Sequence, residues 1–175
     1  LSLGYLPIAG HIVYSLDPQW IRLQKSWAAT SRTYVEFEGQ TAFGEQSRIP
    51  FHVTSLDWQE SDRVLAGIMT AFGSRTGAVQ MGGYGEFDGV LLEAFKRPRI
   101  LGTLNGERFR AWDVIWGSGR ADLAIENSYV FVSNATLTKG DSEIRADGQF
   151  SLGFPRRDGG DEIDARVRVT RRPLV

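Results

Sequence analysis

The residues that could do chemistry in this chain are its carboxylates and its two histidines. Asp57, Glu60 and Asp62 stand close together, and Glu86 and Asp88 flank Phe87 in Gly85-Glu86-Phe87-Asp88-Gly89. Two carboxylates a few ångströms apart, one with a raised pKa, are what glycoside hydrolysis requires. The first cluster, however, opens a helical pattern, where acidic groups complement the helix dipole. The second pair falls on the outer side of an alternating segment, where charges are solvated. His11 and His52 share no ligand spacing, which leaves no metal set and little acid–base capacity. The absence of cysteine excludes disulfides, thiolate zinc sites and cysteine nucleophiles. No Gly-framed serine elbow occurs, and Gly82-Gly83-Tyr84-Gly85 is followed by neither Lys-Ser/Thr nor a helix, as a phosphate loop demands. The sequence therefore carries no catalytic or metal assignment and implies no cofactor. A non-enzymatic role is expected.

Charge excludes a further class. Twenty Lys and Arg against 21 Asp and Glu leave a net charge of −1, too little excess base for a general grip on nucleic acid. The basic group Arg166, Arg168, Arg171, Arg172 has no adjacent aromatics, and Trp112 and Trp116 are interleaved with Asp113. No nucleic-acid partner is expected. No apolar run approaches the roughly 18–20 residues of a membrane helix, and no signal-peptide pattern opens the chain. A chain of 175 residues that opens at Leu1 without Met is expected to be one domain-sized piece of a longer protein.

Alternation with period two dominates the elements that must position these residues. Ile163, Ala165, Val167 and Val169 oppose Asp164, Arg166, Arg168 and Thr170, predicting a half-buried strand. Ile49, Phe51 and Val53 repeat the scheme around Pro50, which places that strand at an edge or beside a bulge. Val35 with Phe37, Trp112 with Val114 and Trp116, Val130 with Val132, Ile144 with Ala146, and Phe150 with Leu152 continue the series to ten to twelve strands. Twenty glycines, about 11% of the chain against a usual 7%, suit tight turns, expected at Lys139-Gly140-Asp141, Asn105-Gly106 and Asp158-Gly159-Gly160-Asp161. One stretch, Asp57 to Phe72, has apolar residues at three- and four-residue spacing and predicts an amphipathic helix. Asp57 or Ser61 would cap it, Glu60 would complete a capping box, and Gly73 would end it.

Displacing the chain by 109 residues lays Trp20–Gly44 on Tyr129–Gly153 without a gap. Gly39-Gln40 falls on Gly148-Gln149, and Ile21, Leu23 and Val35 fall on Val130, Val132 and Ile144. Ile49–Thr54 then matches Ala165–Thr170 after a short insertion. The organisation this predicts is a first β unit over 1–56, a helical joint over 57–73 and a second β unit over 74–175, forming one continuous solenoid-like domain. It also makes Trp20 to Ser26 a strand rather than a helix.

Nearly every predicted strand has one apolar side, and a single helix cannot cover them all. Such a sheet closes as a sandwich or barrel, packs on a neighbour, or curls around an open apolar groove. Composition alone favours the closed sandwich. The succession Gly85-Glu86-Phe87-Asp88-Gly89, Arg97-Pro98-Arg99-Ile100-Leu101-Gly102-Thr103, Ala111-Trp112 and Gly140-Asp141-Ser142-Glu143-Ile144-Arg145-Ala146-Asp147-Gly148, preceded by a helix, resembles the repeat of the AsmA-like superfamily, in its TamB-like branch. The likeness covers Ile49 to Gly153 well and the first unit more loosely.

That resemblance implies a mainly β, curled (taco-like), mostly antiparallel sheet made of two repeated units with one short amphipathic helix. It implies a periplasmic segment of a protein anchored in the inner membrane, bridging to the outer membrane and shielding phospholipid acyl chains. An outer-membrane TamA/BamA-like barrel is a further implied partner, and pairing with client outer-membrane strands is the alternative role. The residues it would assign to the groove are Ile21, Leu23, Val35, Phe37, Phe51, Val53, Trp112, Val114, Val130, Val132, Ile144, Phe150, Leu152, Val167 and Val169.

Overall fold

The computed structural model describes residues 7–71, 81–111, 114–127, 129–151 and 163–171. Along them run β1 (Ala9–His11), β2 (Tyr14–Leu16), β3 (Ile21–Ala29), β4 (Thr33–Thr41), β5 (Ser47–Ser55), α1 (Trp58–Ala71), β6 (Gly82–Ala94), β7 (Arg97–Ala111), β8 (Val114–Glu126), β9 (Tyr129–Lys139), β10 (Ser142–Ser151) and β11 (Ile163–Arg171). From β3 to β11 each strand pairs antiparallel with the next, while β1 and β2 both pair with β3. The result is one large, curled, mainly β sheet that does not close into a barrel. The segment after Trp20 is strand, β3 beginning at Ile21, as the internal repetition requires. A two-layer sandwich is not formed: among the described residues the strands make a single sheet.

The repetition extends to an irregularity. In β3–β4, Leu23 faces Gly39 and Ser26 faces Phe37, so the register slips between them. In β9–β10, Val132 faces Gly148 and Ala135 faces Ala146, with the same slip at positions displaced by 109. A bulge re-aims the side chains that follow it, and here both copies keep it opposite a glycine.

The helix begins where the acidic cluster predicts. Asp57 Oδ1 accepts the Gln59 N–H at 3.0 Å and the Asp57 carbonyl accepts the Glu60 N–H at 3.0 Å. Glu60 does not close a capping box. The Asp57 N–H instead donates to Ser55 Oγ at 3.2 Å, and Glu60 reaches across to the turn between β3 and β4. Ser61 is not a cap either: its hydroxyl lies 2.6 Å from Ser55 Oγ and 2.7 Å from Thr33 Oγ1, tying the first turn to the sheet. Gly73 and Asp158–Asp161 lie outside the described residues.

Four other expectations are corrected. β5 is an interior strand between β4 and β6, so Pro50 is not at an edge. The β4–β5 ladder instead skips from Phe37–Phe51 to Gln40–Arg48, a lapse beside Pro50 that suits its missing donor. Asn105-Gly106 makes no turn but lies inside β7. A Cβ on Gly106 would make only ordinary contacts, with Phe109 at 3.5 Å and Trp58 Nε1 at 4.0 Å. The alternation read through 111–116 is not one strand, since β7 ends at Ala111 and β8 starts at its antiparallel partner, Val114. Finally, the middle of β11 is not half-buried: Asp164 to Arg168 are all exposed, and among the described residues β11 has a neighbour on one side only.

Candidate functional site, the apolar face of the sheet

Directly paired residues of an antiparallel ladder project from the same face, so the register assembles the site. One row runs Val35–Val53–Phe87–Leu104–Ala121 across β4 to β8. A second runs Phe37–Phe51–Gly89–Gly102–Leu123–Val132–Gly148 across β4 to β10. A third runs Leu91–Ile100–Ile125–Val130–Phe150 across β6 to β10. Ile21 and Leu23, paired with Thr41 and Gly39, carry the face onto β3. Ile144, paired with Leu137, and Val167, paired with Ala146, carry it to β10 and β11. Nine strands at about 4.8 Å spacing make this band about 38 Å long.

The face is only partly covered. Trp58 at the start of α1 packs with Phe87, Ile100 and Leu104, and Phe51, Val53, Leu91, Phe109, Leu123 and Ile125 close around that cluster. Away from it no other described residue forms a second layer over the apolar side chains. Ile21, Leu23, Val35, Phe37, Phe51, Val53, Val132, Ile144 and Phe150 are half-buried, Val130 is buried, and Val167 is 56% exposed.

Glycines set the level of the floor. A Cβ on Gly89 would meet Phe51 Cζ at 2.8 Å, and one on Gly102 would meet Phe87 Cζ at 2.6 Å. The two rings, 5.7 Å apart between centroids, occupy the space that side chains at these paired glycines would fill.

Polar networks flank the band on β4 and β5. At one end Thr41 Oγ1 and Ser47 Oγ lie 2.9 Å apart, both buried. At the other, the buried Glu60 carboxylate accepts from Thr30 Oγ1, from Ser31 Oγ at 2.8 Å and from the Arg32 N–H at 3.0 Å. Burial raises the pKa of Glu60, but these bonds and one from Thr33 outweigh it, and the carboxyl sits below its ordinary value.

No protein-family model, no curated protein and no solved structure matches this chain.

Of the expected groove residues, eleven that the structure brings onto one face are those placed above. Val169 is the register partner of Ile144. Val114 is not in the band: it sits where β8 begins, 46% exposed. Trp112 and Leu152 lie outside the described residues.

The opposite face holds the charges. There His52 Nδ1 lies 2.6 Å from Asp88 Oδ1, its cross-strand partner, and His52 Nε2 lies 3.3 Å from Thr54 Oγ1. Asp122 accepts from Asn134 and Thr103, which holds its carboxyl below the ordinary range. Sequence spacing does not show these groupings, because Asp88 meets His52, and Asn134 and Thr103 meet Asp122, from other strands. Among the described residues no group of three His, Cys, Asp or Glu side chains is arranged to hold a metal.

Proposed function

We propose that this chain is a segment of a periplasmic bridge between inner and outer membranes that shields phospholipid acyl chains along its apolar face, in the manner of the AsmA-like proteins its repeat resembles. The observation that supports this is the continuity of the band: apolar side chains in register across nine strands, half-buried, with one helix over part of them. An acyl chain laid on such a face gains about 0.8 kcal/mol for each methylene removed from water. No catalytic group is needed; the work is exclusion of water. The polar headgroup would stay at the rim of the band, in water. In this reading the parent is anchored in the inner membrane and meets a TamA/BamA-like barrel at the outer membrane. Among the described residues no helix is long and apolar enough to cross a membrane.

The test is extraction of the purified chain with organic solvent and mass spectrometry of what is released. Phospholipid is expected from the wild type, and its loss from Val132→Asp with the circular dichroism spectrum retained. A wild type that carries no lipid after incubation with phospholipid vesicles rejects the proposal. The second role, pairing with a client strand, has support in β11, which among the described residues is bonded to β10 alone. In that case isolated outer-membrane hairpins bind and lipid does not compete.

A further inference from the structure

The other face of the sheet carries a depression of its own, with a volume of about 720 Å³, across β5 to β9. Its form follows from the register. One wall is the row Thr54–Glu86–Asn105–Arg120–Thr136, each residue the direct partner of the next. The facing wall, two residues further along the strands, is Tyr84–Glu107 on β6 and β7 and Ser118–Thr138 on β8 and β9. Between them the floor is the backbone of Ser55, Gly85, Gly106 and Gly119, whose Cβ positions belong to the apolar side. The trough thus runs perpendicular to the strands and spans five of them, about 19 Å.

Its walls alternate donors and acceptors: hydroxyls, one amide, two carboxylates and one guanidinium. Glu107 already accepts from Ser118. Glu86, Asn105 and Tyr84 make no side-chain hydrogen bond, ion pair or ring contact with another described residue, and Tyr84 is 44% exposed. A half-buried amide with no side-chain partner among the described residues, near an open aromatic ring, offers hydrogen bonds and a stacking face to a polar ligand with apolar faces.

We infer that this trough binds a linear glycan laid across the strands. A pyranose offers hydroxyls that donate and accept at once, and C–H faces that stack on an aromatic ring. An extended β-linked chain of such rings has a rise per sugar slightly longer than the strand spacing of about 4.8 Å, so successive strands meet successive sugars over a short run. An extended peptide advances about 3.3 Å per residue and falls out of step with the walls. Two carboxylates against one guanidinium repel the phosphates of a nucleic acid.

The experiment is titration of the isotope-labelled whole chain with N-acetylchitopentaose and with cellopentaose, followed by amide chemical shifts. At least one pentasaccharide should saturate its binding, with shifts concentrated at residues 54–56, 84–86, 105–107, 118–120 and 136–138. Affinity should rise from the disaccharide to the pentasaccharide and then level off. Tyr84→Ala and Asn105→Ala, with unchanged circular dichroism, should each weaken it about five- to ten-fold, while Val132→Asp on the opposite face leaves it unaltered. Should either variant misfold, the wild-type shift map and length dependence still decide. Absence of binding at millimolar pentasaccharide, affinity indifferent to length, or shifts confined to the apolar band would overturn the inference, as would preferential binding of an extended peptide or an oligonucleotide.

Discussion

At the scale of single residues, Glu60 does the most to hold α1 against the sheet. Its carboxylate gathers the turn between β3 and β4, which comes from about thirty residues earlier in the chain. Its folded pKa lies below the ordinary 4.5, so its stabilisation is present above the unfolded value and is lost as pH falls through the folded one. Glu60→Gln keeps the shape and removes the charge from these bonds. It should cost about 1–3 kcal/mol at neutral pH. Urea denaturation should show the gap to wild type closing as pH falls below 4.5. A gap of equal size in acid would mean that the charge is irrelevant. The sequence places Glu60 correctly at a helix start, but its partners are fixed only when the strands pair.

At the scale of elements, glycine does two separate jobs. Gly140 has a φ of +58° with nothing within 4 Å of an added Cβ, so it serves the turn between β9 and β10. Gly102 lies inside β7, where a Cβ would approach the Asp88 carbonyl to 2.3 Å and the Phe87 ring to 2.6 Å. Gly140→Ala should therefore cost about 1 kcal/mol, and Gly102→Ala about 2–4 kcal/mol, since backbone must move. Thermal denaturation of the two variants gives the order directly, and the reverse order would reject the account of the floor. The turn role of Gly140 is legible from Lys139-Gly140-Asp141. The same logic misplaces Asn105-Gly106, because a glycine inside a strand and a glycine in a turn look alike in one dimension.

At the scale of the molecule, the described residues form one open sheet with a helix over part of its apolar band, without the second full layer that most domains use. A ligand that fills the band only in the folded state stabilises by mass action, about 2.7 kcal/mol at a hundredfold excess over Kd. Adding a single-chain lyso-phospholipid below its micelle concentration should raise the melting temperature of the wild type. Val132→Asp should abolish that rise, and neither effect should depend on the trough residues Tyr84 and Asn105. A melting temperature indifferent to lipid would leave the apolar band without an acyl ligand.

Period-two alternation, spaced turn glycines and the displacement by 109 residues determine by themselves the strands, the lone helix and the existence of one apolar side. These are local properties, set by where successive side chains of a strand must point. The sequence alone equally allowed a closed sandwich, since an apolar side specifies that it needs a cover and not which one. Tertiary structure decided that question. Register set nine apolar edges side by side, docked the single helix over one part of them, and gathered Thr54, Glu86, Asn105 and Arg120 on the reverse face. Those residues lie far apart along the chain and become neighbours only through hydrogen bonding between strands, a relation no local pattern encodes.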